Sequence, residues 1–242
     1  DDVRRHVTEI LGAEPSGNGS APGASPDGPR GDEADAPVRA ETAAESPALL
    51  QAFGRDLVDL AGAGSAPPPL GRAPEIDRLE WILSQRVKSN PLLVGRRGVG
   101  RSSLVAGLAH RIRTRMAPAP LLGFRLVEVV TARLLTYTES PWEYTRLLQG
   151  LLREARRAPE VVLVFDDLRL LVGTRRAPGE PVGLWRSIAF RLAQGDVRCL
   201  AMATPEGLVR SWRVAPELAR CFRVLRVPAL LREEVDAVLA TR

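Results

Sequence analysis

The chain has few of the residues that would mark a secreted, metal-binding or membrane protein. Its 242 residues include two cysteines, Cys199 and Cys221, and two histidines, His6 and His110. These are too few and too scattered for a disulfide framework or a zinc site. No apolar run approaches the roughly 18 residues of a membrane span, and no basic-then-apolar leader opens the sequence. We therefore expect a protein of the reducing cytoplasm without a membrane partner.

Lysine is almost absent. Of the 34 basic residues, Lys88 is the only lysine, so arginine supplies nearly all of the positive charge. The net charge of +5 divides into −6 over residues 1–46 and +11 over the remainder. The arginines are dispersed and are not interleaved with aromatic residues. This pattern favours solvated helix faces and acidic partners over nucleic acid.

The composition divides the chain into three parts. Residues 1–12 carry a short apolar helical stripe, which we interpret as the tail of a truncated N-terminal domain. Residues 13–47 are rich in Gly, Pro, Ala and Ser, and we expect a disordered linker there because little apolar surface is available to offset the ordering entropy. Residues 48–242 have the apolar content of a folded domain.

Within this domain, apolar runs alternate with amphipathic segments. The spacing predicts one helix over 49–60 and another over 74–87, and then strands and helices in alternation: strands at 92–94, 126–130, 161–165, 198–202 and 223–227, and helices at 102–114, 143–157 and 183–194. Alternation of this length predicts an α/β fold with a parallel five-stranded sheet and helices on both faces.

The most informative segment is a glycine-rich loop between a strand and a helix. Gly95, Gly98 and Gly100 allow a tight turn with its backbone close to a polyphosphate, and the positive end of the next helix favours the same anion. Val99 and Ser103 complete the loop. The pattern is that of a P-loop NTPase, in which the hydroxyl of Ser102 would bind Mg²⁺.

One position departs from the pattern. Arg101 stands where G-x-x-x-x-G-K-[ST] has lysine. A guanidinium is planar and bulkier than an ammonium and prefers bidentate contacts, so we expect weaker nucleotide binding or turnover. Arg96 and Arg97 add positive charge to the loop, but charge alone does not aim donors at the transition state.

Two carboxylates follow the apolar strand at 161–165. Asp166 is expected to bind Mg²⁺ through water, and Asp167 to polarise the water that attacks the γ-phosphate. The alternative is a solvated pair that caps a turn; the phosphate loop upstream favours the functional interpretation. We expect the loop and the acidic pair to converge across adjacent strand tips and enclose one metal–triphosphate.

Several further segments resemble the first ATPase module of the Clp-type AAA+ unfoldases. The matching segments run from Phe53 to Ala61, Leu70 to Arg72, Asn90 to Gly95, Gly107 to Ile112, Leu168 to Gly173 and Arg198 to Thr204. They are colinear with the family's motifs, including N-N-P-L-L-V-G and I-H-T-L-I-G, over about residues 50–242.

The resemblance implies an AAA+ large subdomain that binds ATP and Mg²⁺ and assembles into a homo-oligomeric, hexameric ring. Protein substrates and a peptidase partner are implied in the same way. Leu70 and Gly71 would form the turn on the adenine side, and Thr204 would be the polar sensor. Arg220, in a segment similar to L-x-R-R-F, would be the finger that reaches a neighbour's γ-phosphate. We expect the small helical lid of the family to be absent from these 242 residues.

The departures from the family pattern favour slow hydrolysis. Asp167 replaces the family's catalytic glutamate and retracts the carboxylate by roughly 1.5 Å. The family's substrate-gripping K-Y-R-G is replaced by a segment from Thr138 to Tyr144, in which Trp142 is either a gripping residue or a packing anchor. The leading hypothesis is a Clp-type ATPase with attenuated turnover. A non-hydrolysing scaffold or regulatory pseudo-ATPase is the second, and a nucleic-acid-associated AAA+ protein is the third.

Overall fold

The structure is a computed structural model that describes residues 49–62, 71–172 and 184–230. The predicted domain tail at 1–12 and the predicted linker at 13–47 lie outside these residues, as does Leu70.

The described strands form one sheet. They are β1 (Gly54–Asp56), β2 (Asn90–Val94), β3 (Arg125–Val129), β4 (Val161–Phe165), β5 (Arg198–Ala203) and β6 (Phe222–Arg226), in the order β1-β3-β4-β5-β2-β6. β2 through β6 run parallel, whereas β1 pairs antiparallel with β3 at the edge. The predicted parallel α/β sheet is confirmed, but the predicted number of strands is wrong, since the sheet has six and not five.

The extra strand interrupts the segment that the sequence predicts as a single helix. At Gly54 a Cβ atom would lie 2.3 Å from the carbonyl oxygen of Leu50 and 2.4 Å from a methyl of Val127, so only glycine allows this approach to β3. Asp56 accepts from the guanidinium of Arg125 at 2.7 Å across the pair of strands. Tertiary pairing with β3 therefore overrides the helical spacing of the apolar residues.

The helices are α1 (Leu49–Phe53), α2 (Leu57–Gly62), α3 (Ala73–Leu83), α4 (Arg101–Arg113), α5 (Thr131–Thr136), α6 (Pro141–Arg157), α7 (Arg169–Val172), α8 (Leu184–Gln194), α9 (Pro205–Val214) and α10 (Leu218–Cys221). A short 3-10 turn covers Ala119–Leu121. In the described ranges no helix combines the length and the apolar character needed to cross a membrane.

The inner strands β2, β4 and β5 are buried because helices cover both faces of the sheet. In β4, Val161, Leu163 and Phe165 belong to one hydrophobic cluster, while Val162 and Val164 belong to the other. Alternate side chains of a strand point to opposite faces, so the two clusters are the two layers of core. This arrangement confirms the expectation of helices on both faces.

A buried asparagine joins the start of β2 to three neighbouring elements. The side-chain oxygen of Asn90 accepts from the backbone N–H of Cys199 at 2.9 Å. Its amide nitrogen donates to the carbonyls of Cys221 at 3.2 Å and Leu192 at 3.4 Å. Since buried polar groups require partners, this side chain fixes β2 against β5, α8 and the segment that enters β6.

Candidate nucleotide-binding site

The phosphate loop connects the end of β2 to the start of α4. Gly98 and Gly100 have positive φ angles of 78° and 95°, which non-glycine residues adopt only with strain. Gly95 is buried and serves a different purpose, because a Cβ there would lie 2.7 Å from a methyl of Val99 and 2.9 Å from the carbonyl oxygen of Val227. Glycine is therefore required at all three positions, at two for conformation and at one for packing.

Helix α4 begins directly at the loop without a side-chain cap. Gly100 is its N-cap residue and makes no side-chain hydrogen bond, so the first N–H groups of α4 remain available to a ligand. Ser102 and Ser103 lie exposed in the first turn. Free N–H groups at the positive end of a 13-residue helix form an anion site.

The loop is tied to the rest of the sheet at its base. The backbone N–H of Gly95 donates to the carbonyl of Ala203 at 3.1 Å, and the N–H of Val227 donates to the carbonyl of Val94 at 2.8 Å. The end of β2 is thus held from β5 on one side and from the segment after β6 on the other.

One cleft of about 420 Å³ brings together residues of the loop, the acidic pair and the end of β5. Its lining includes Gly98, Arg101 and Ser102 from the loop and α4, Asp166 and Asp167 after β4, and Thr204 after β5; Arg97, Arg169, Glu206, Gly207 and Arg210 complete it. The loop and the acidic pair therefore converge, as expected.

The expectation that they converge from adjacent strands is wrong. β5 lies between β4 and β2 in the sheet. After β4 the chain forms β5 in the position beside β2, and only then forms the edge strand β6. The intervening strand contributes Thr204, so three strand ends rather than two build the cleft. Ligand sites of open α/β sheets lie at such carboxyl ends.

Electrostatic coupling joins the two sides of the cleft. Partial burial lowers the pKa of Arg101, and Arg97 lowers it further, while Asp167 and Asp166 oppose the shift. The pKa of Asp166 is raised, first by partial burial and then by Glu128 and Asp167. Asp166 and Asp167 thus act electrostatically on Arg101 across the cleft.

Asp167 already has a partner. Its Oδ1 accepts from the backbone N–H of Arg169 at 2.9 Å, and its Oδ2 accepts from Nε at 2.8 Å and Nη2 at 2.5 Å of the same residue. Partial burial raises the pKa of Asp167, but these hydrogen bonds and the nearby Arg101 lower it, and the net direction is down. Sequence reasoning missed Arg169, although an arginine two residues after an acid at a strand end is a visible signal.

Thr204 lies at the end of β5 as the N-cap residue of α9. Its hydroxyl oxygen accepts from the backbone N–H of Gly207 at 3.0 Å, which leaves the hydroxyl proton available to a group in the cleft. The side chain therefore has a fixed oxygen and a free donor, as a sensor of phosphate would need.

Arg220 lies outside the cleft. It is exposed on α10, the short helix that precedes β6. Phe222, at the start of β6, pairs with Asn90 at the start of β2, whereas Arg226 pairs with Val94 at its end. Since the cleft lies at the end of β2, Arg220 is at the opposite end of these strands.

Just before α3, Gly71 has a positive φ of 73° and is followed by a buried arginine. The Nη2 of Arg72 donates to the carbonyls of Val99 at 3.0 Å and Pro228 at 2.9 Å, and its Nη1 pairs with Glu75 at 2.8 Å. Sequence reasoning placed Arg72 in a family motif but gave it no role.

The segment that stands in place of the family's gripping loop leads into the start of α6. Ser140 is the N-cap residue in a reciprocal capping box with Glu143, so the segment is the first turn of a helix. The hydroxyl of Tyr144 donates to the carbonyl of Leu170 at 3.2 Å, and burial, with a smaller effect of Asp166, raises its pKa to about 12. The side chain of Trp142 lies outside the described part of the chain.

The residues of the cleft fit a magnesium–nucleotide. Mg²⁺ prefers oxygen ligands and is commonly held by a hydroxyl, one or two carboxylates and water, and Ser102 and Asp166 supply the first two types. The loop N–H groups and the α4 N-terminus suit phosphates.

Comparisons with known proteins identify relatives among the Clp proteins. No family model matches the chain. It is 36% identical over 187 residues to the chaperone protein ClpB 2 of Parasynechococcus marenigrum. The aligned segment covers 76% of this chain and 20% of that protein. It is 32% identical over 200 residues to the chaperone protein ClpB of Rickettsia conorii, with 82% and 23% covered. With the chloroplastic ClpA homolog CD4B of Solanum lycopersicum, an ATP-binding subunit of an ATP-dependent Clp protease, identity is 29% over 239 residues, with 99% and 26% covered.

Solved structures show the same fold. An Hsp104–casein complex of S. cerevisiae superposes with a TM-score of 0.69 at 24% identity, over 79% of this chain and 32% of that one. The S. cerevisiae Hsp104–ADP complex gives a TM-score of 0.70 at 23% identity with the same coverage. This chain spans only about a fifth to a quarter of the length of the curated relatives that it matches. From the phosphate loop, the strand order and these similarities, the chain belongs to the Clp-type AAA+ family.

Proposed function

We propose that the chain binds Mg²⁺–ATP in the cleft between the phosphate loop and the acidic pair and hydrolyses it slowly, as the ATP-binding module of a Clp-type unfoldase or chaperone. The observation that carries the proposal is that Arg101, Ser102, Asp166, Asp167 and Thr204 line one cleft. These residues lie up to about a hundred positions apart in sequence, and only the fold brings them together.

Each residue has a distinct proposed part. The loop N–H groups and Arg101 bind the phosphates, while Ser102 and Asp166 hold the magnesium ion, which when bound neutralises phosphate charge. Asp167 orients and polarises the attacking water. The hydroxyl of Thr204 donates a hydrogen bond to the γ-phosphate or to that water.

Slow hydrolysis follows from three features of the cleft. Arg101 presents a planar fork instead of a compact ammonium. Asp167 has a shorter side chain than glutamate, and displacement of a catalytic group by about 1 Å can cost about a hundredfold in rate. The carboxylate of Asp167 is also hydrogen-bonded by the guanidinium of Arg169.

The other proposals concern the assembly and the rest of the chain. We propose a hexameric ring in which Arg220 acts on a neighbouring subunit and in which Gly71, with Leu70, contacts the adenine side of the nucleotide. Protein substrates are proposed because relatives are chaperones and a structural neighbour was solved with casein. A peptidase partner and a cytoplasmic location are proposed from the family resemblance. The division into a domain tail at 1–12, a linker at 13–47 and the AAA+ large subdomain at 48–242 is proposed with them.

The test compares the 242-residue chain with two reversions, Arg101→Lys and Asp167→Glu. Binding of a fluorescent ATP analogue gives Kd, and phosphate release gives kcat. We expect measurable binding in all three proteins, and about a tenfold increase in kcat for each reversion, within the range for repositioned groups. Arg153→Lys, an exposed arginine on α6 outside the cleft, is the matched control and should change neither constant.

A scaffold that does not hydrolyse nucleotide is the second candidate, favoured by the ion pair that already engages Asp167. If nucleotide binds but neither reversion produces phosphate, this candidate replaces the first. If nucleotide binds to none of the three proteins, the proposal of a nucleotide-binding module is wrong.

A further inference from the structure

Arg169 engages both oxygens of the proposed water-polarising carboxylate. The backbone N–H of Arg169 donates to Oδ1 of Asp167 at 2.9 Å, while Nε and Nη2 donate to Oδ2 at 2.8 and 2.5 Å. A carboxylate has about four lone-pair positions, and a single residue occupies three of them.

This arrangement conflicts with the part proposed for Asp167. To polarise water, a carboxylate needs an oxygen free to accept the water's hydrogen bond and enough negative charge to attract its proton. The guanidinium partly neutralises that charge, and the N–H of the main chain at Arg169 fixes the orientation of the carboxylate. Because the side chain of aspartate is short, rotation about its bonds moves its oxygens over only a small space.

The restraint is reversible because the guanidinium is not locked in place. The Arg169 side chain is 49% exposed and lines the cleft beside the phosphate loop. A half-exposed ion pair is weak, so the restraint is partial and slows hydrolysis without abolishing it.

We propose that Arg169 restrains Asp167 and thereby slows hydrolysis in this chain. Arg169 is a positioning residue, since it acts through the carboxylate and not on the phosphate. This inference rests on the proposed function, because it assigns to a particular contact part of the slow turnover proposed there.

The test is Arg169→Gln in the 242-residue chain, measured as kcat for Mg²⁺–ATP and Kd for the fluorescent analogue. We expect kcat to rise about twofold to fivefold, the range that corresponds to an exposed ion pair, while Kd stays within about twofold. Arg169→Lys should restore part of the restraint, because lysine keeps the charge but loses the two-donor fork.

A double-mutant cycle separates the restraint from a general loss of positive charge. In an Asp167→Asn background, Arg169→Gln should leave kcat unchanged, because no carboxylate remains to be released. The matched control is Arg125→Gln, which removes an arginine of equal exposure, 49%, from its ion pair with Asp56 on the edge of the sheet. It should not raise kcat.

A second readout tests the contact without turnover. In ¹⁵N-labelled chain, the Nε–H resonance of Arg169 should exchange slowly with solvent, and this protection should disappear in Asp167→Asn but persist in Arg125→Gln. The proposal is wrong if Arg169→Gln lowers kcat or leaves it unchanged, or if Asp167→Asn does not alter the exchange. Absence of nucleotide binding would instead overturn the proposed function, and the Nε–H measurement would still report on the pair.

Discussion

Arg72 is a buried arginine that contacts the phosphate loop, a role that its sequence motif does not reveal. It is 3% exposed, and its guanidinium bonds a carbonyl of the phosphate loop, a carbonyl after β6 and a carboxylate on its own helix. A buried cation is tolerated only when it is paired and hydrogen-bonded. By bonding the Val99 carbonyl and the Pro228 carbonyl together, Arg72 ties the phosphate loop to the segment after β6.

We predict that Arg72→Ala lowers both stability and nucleotide affinity. The change leaves Glu75 without its ion-pair partner and two carbonyls without donors, so the free energy of unfolding should fall by about 3 kcal/mol. The Kd for the ATP analogue should rise about tenfold, because the loop loses its anchor. Urea denaturation and fluorescence titration measure the two effects.

The control for this prediction is Arg78→Ala on the outer face of the same helix. Arg78 stacks on Trp81 at 4.6 Å, an exposed contact worth about 0.5–1 kcal/mol. If Arg72→Ala is no more destabilising than Arg78→Ala, the anchoring role is contradicted.

At the scale of elements, strand β2 fixes the position of the phosphate loop that follows it. Its pairing with β5 on one side and with β6 on the other holds its carboxyl end, and Asn90 holds its amino end. The side chain of Asn90 bonds three backbone groups that belong to different elements, so the strand cannot slide without breaking buried hydrogen bonds.

We predict that Asn90→Ala lowers the free energy of unfolding by about 2–4 kcal/mol, because the Cys199 N–H and two carbonyls are left without their buried partner. Urea denaturation measures the loss. Gln85→Ala removes an exposed side-chain amide that also donates to a backbone carbonyl, at 3.0 Å, and should cost less than about 0.5 kcal/mol. Equal losses in the two variants would show that burial does not determine the cost.

The sequence predicts most of the strands and long helices, because the patterns that indicate them involve residues close together in the chain. The apolar run from Val161 to Phe165 predicts β4 to the residue, and the other parallel strands are predicted to within two residues. β1 has only three residues and depends on a close approach of Gly54 to Val127. The spacing of apolar residues along the sequence does not indicate such a contact. In the site, the loop glycines follow from their pattern, whereas the Arg169–Asp167 pair and the anchor at Arg72 depend on side-chain orientation and on contacts as distant as Pro228.

At the scale of the whole molecule, the cleft and Arg220 lie at opposite ends of the same strands. Five residues of β6 run beside β2 between them, and at about 3.3 Å per residue the separation exceeds roughly 13 Å. Arg220 therefore does not serve the cleft of its own subunit. The finger role proposed for Arg220 from the family resemblance therefore requires a neighbouring copy.

We predict that subunits with complementary defects restore each other. Arg220→Ala leaves a subunit with an intact cleft but no finger, and Asp167→Asn leaves the finger but no water-polarising carboxylate. When the two variants are mixed under conditions of assembly, verified by sedimentation, phosphate release should exceed that of either variant alone by about threefold or more, a difference of roughly 0.7 kcal/mol in barrier. Mixing Arg220→Ala with the double variant Arg220→Ala/Asp167→Asn should give no rescue, because no subunit then supplies a finger. If the complementary mixture gains nothing, or if Arg220→Ala loses as much activity in dilute, unassembled chain as in the assembly, then Arg220 does not act between subunits.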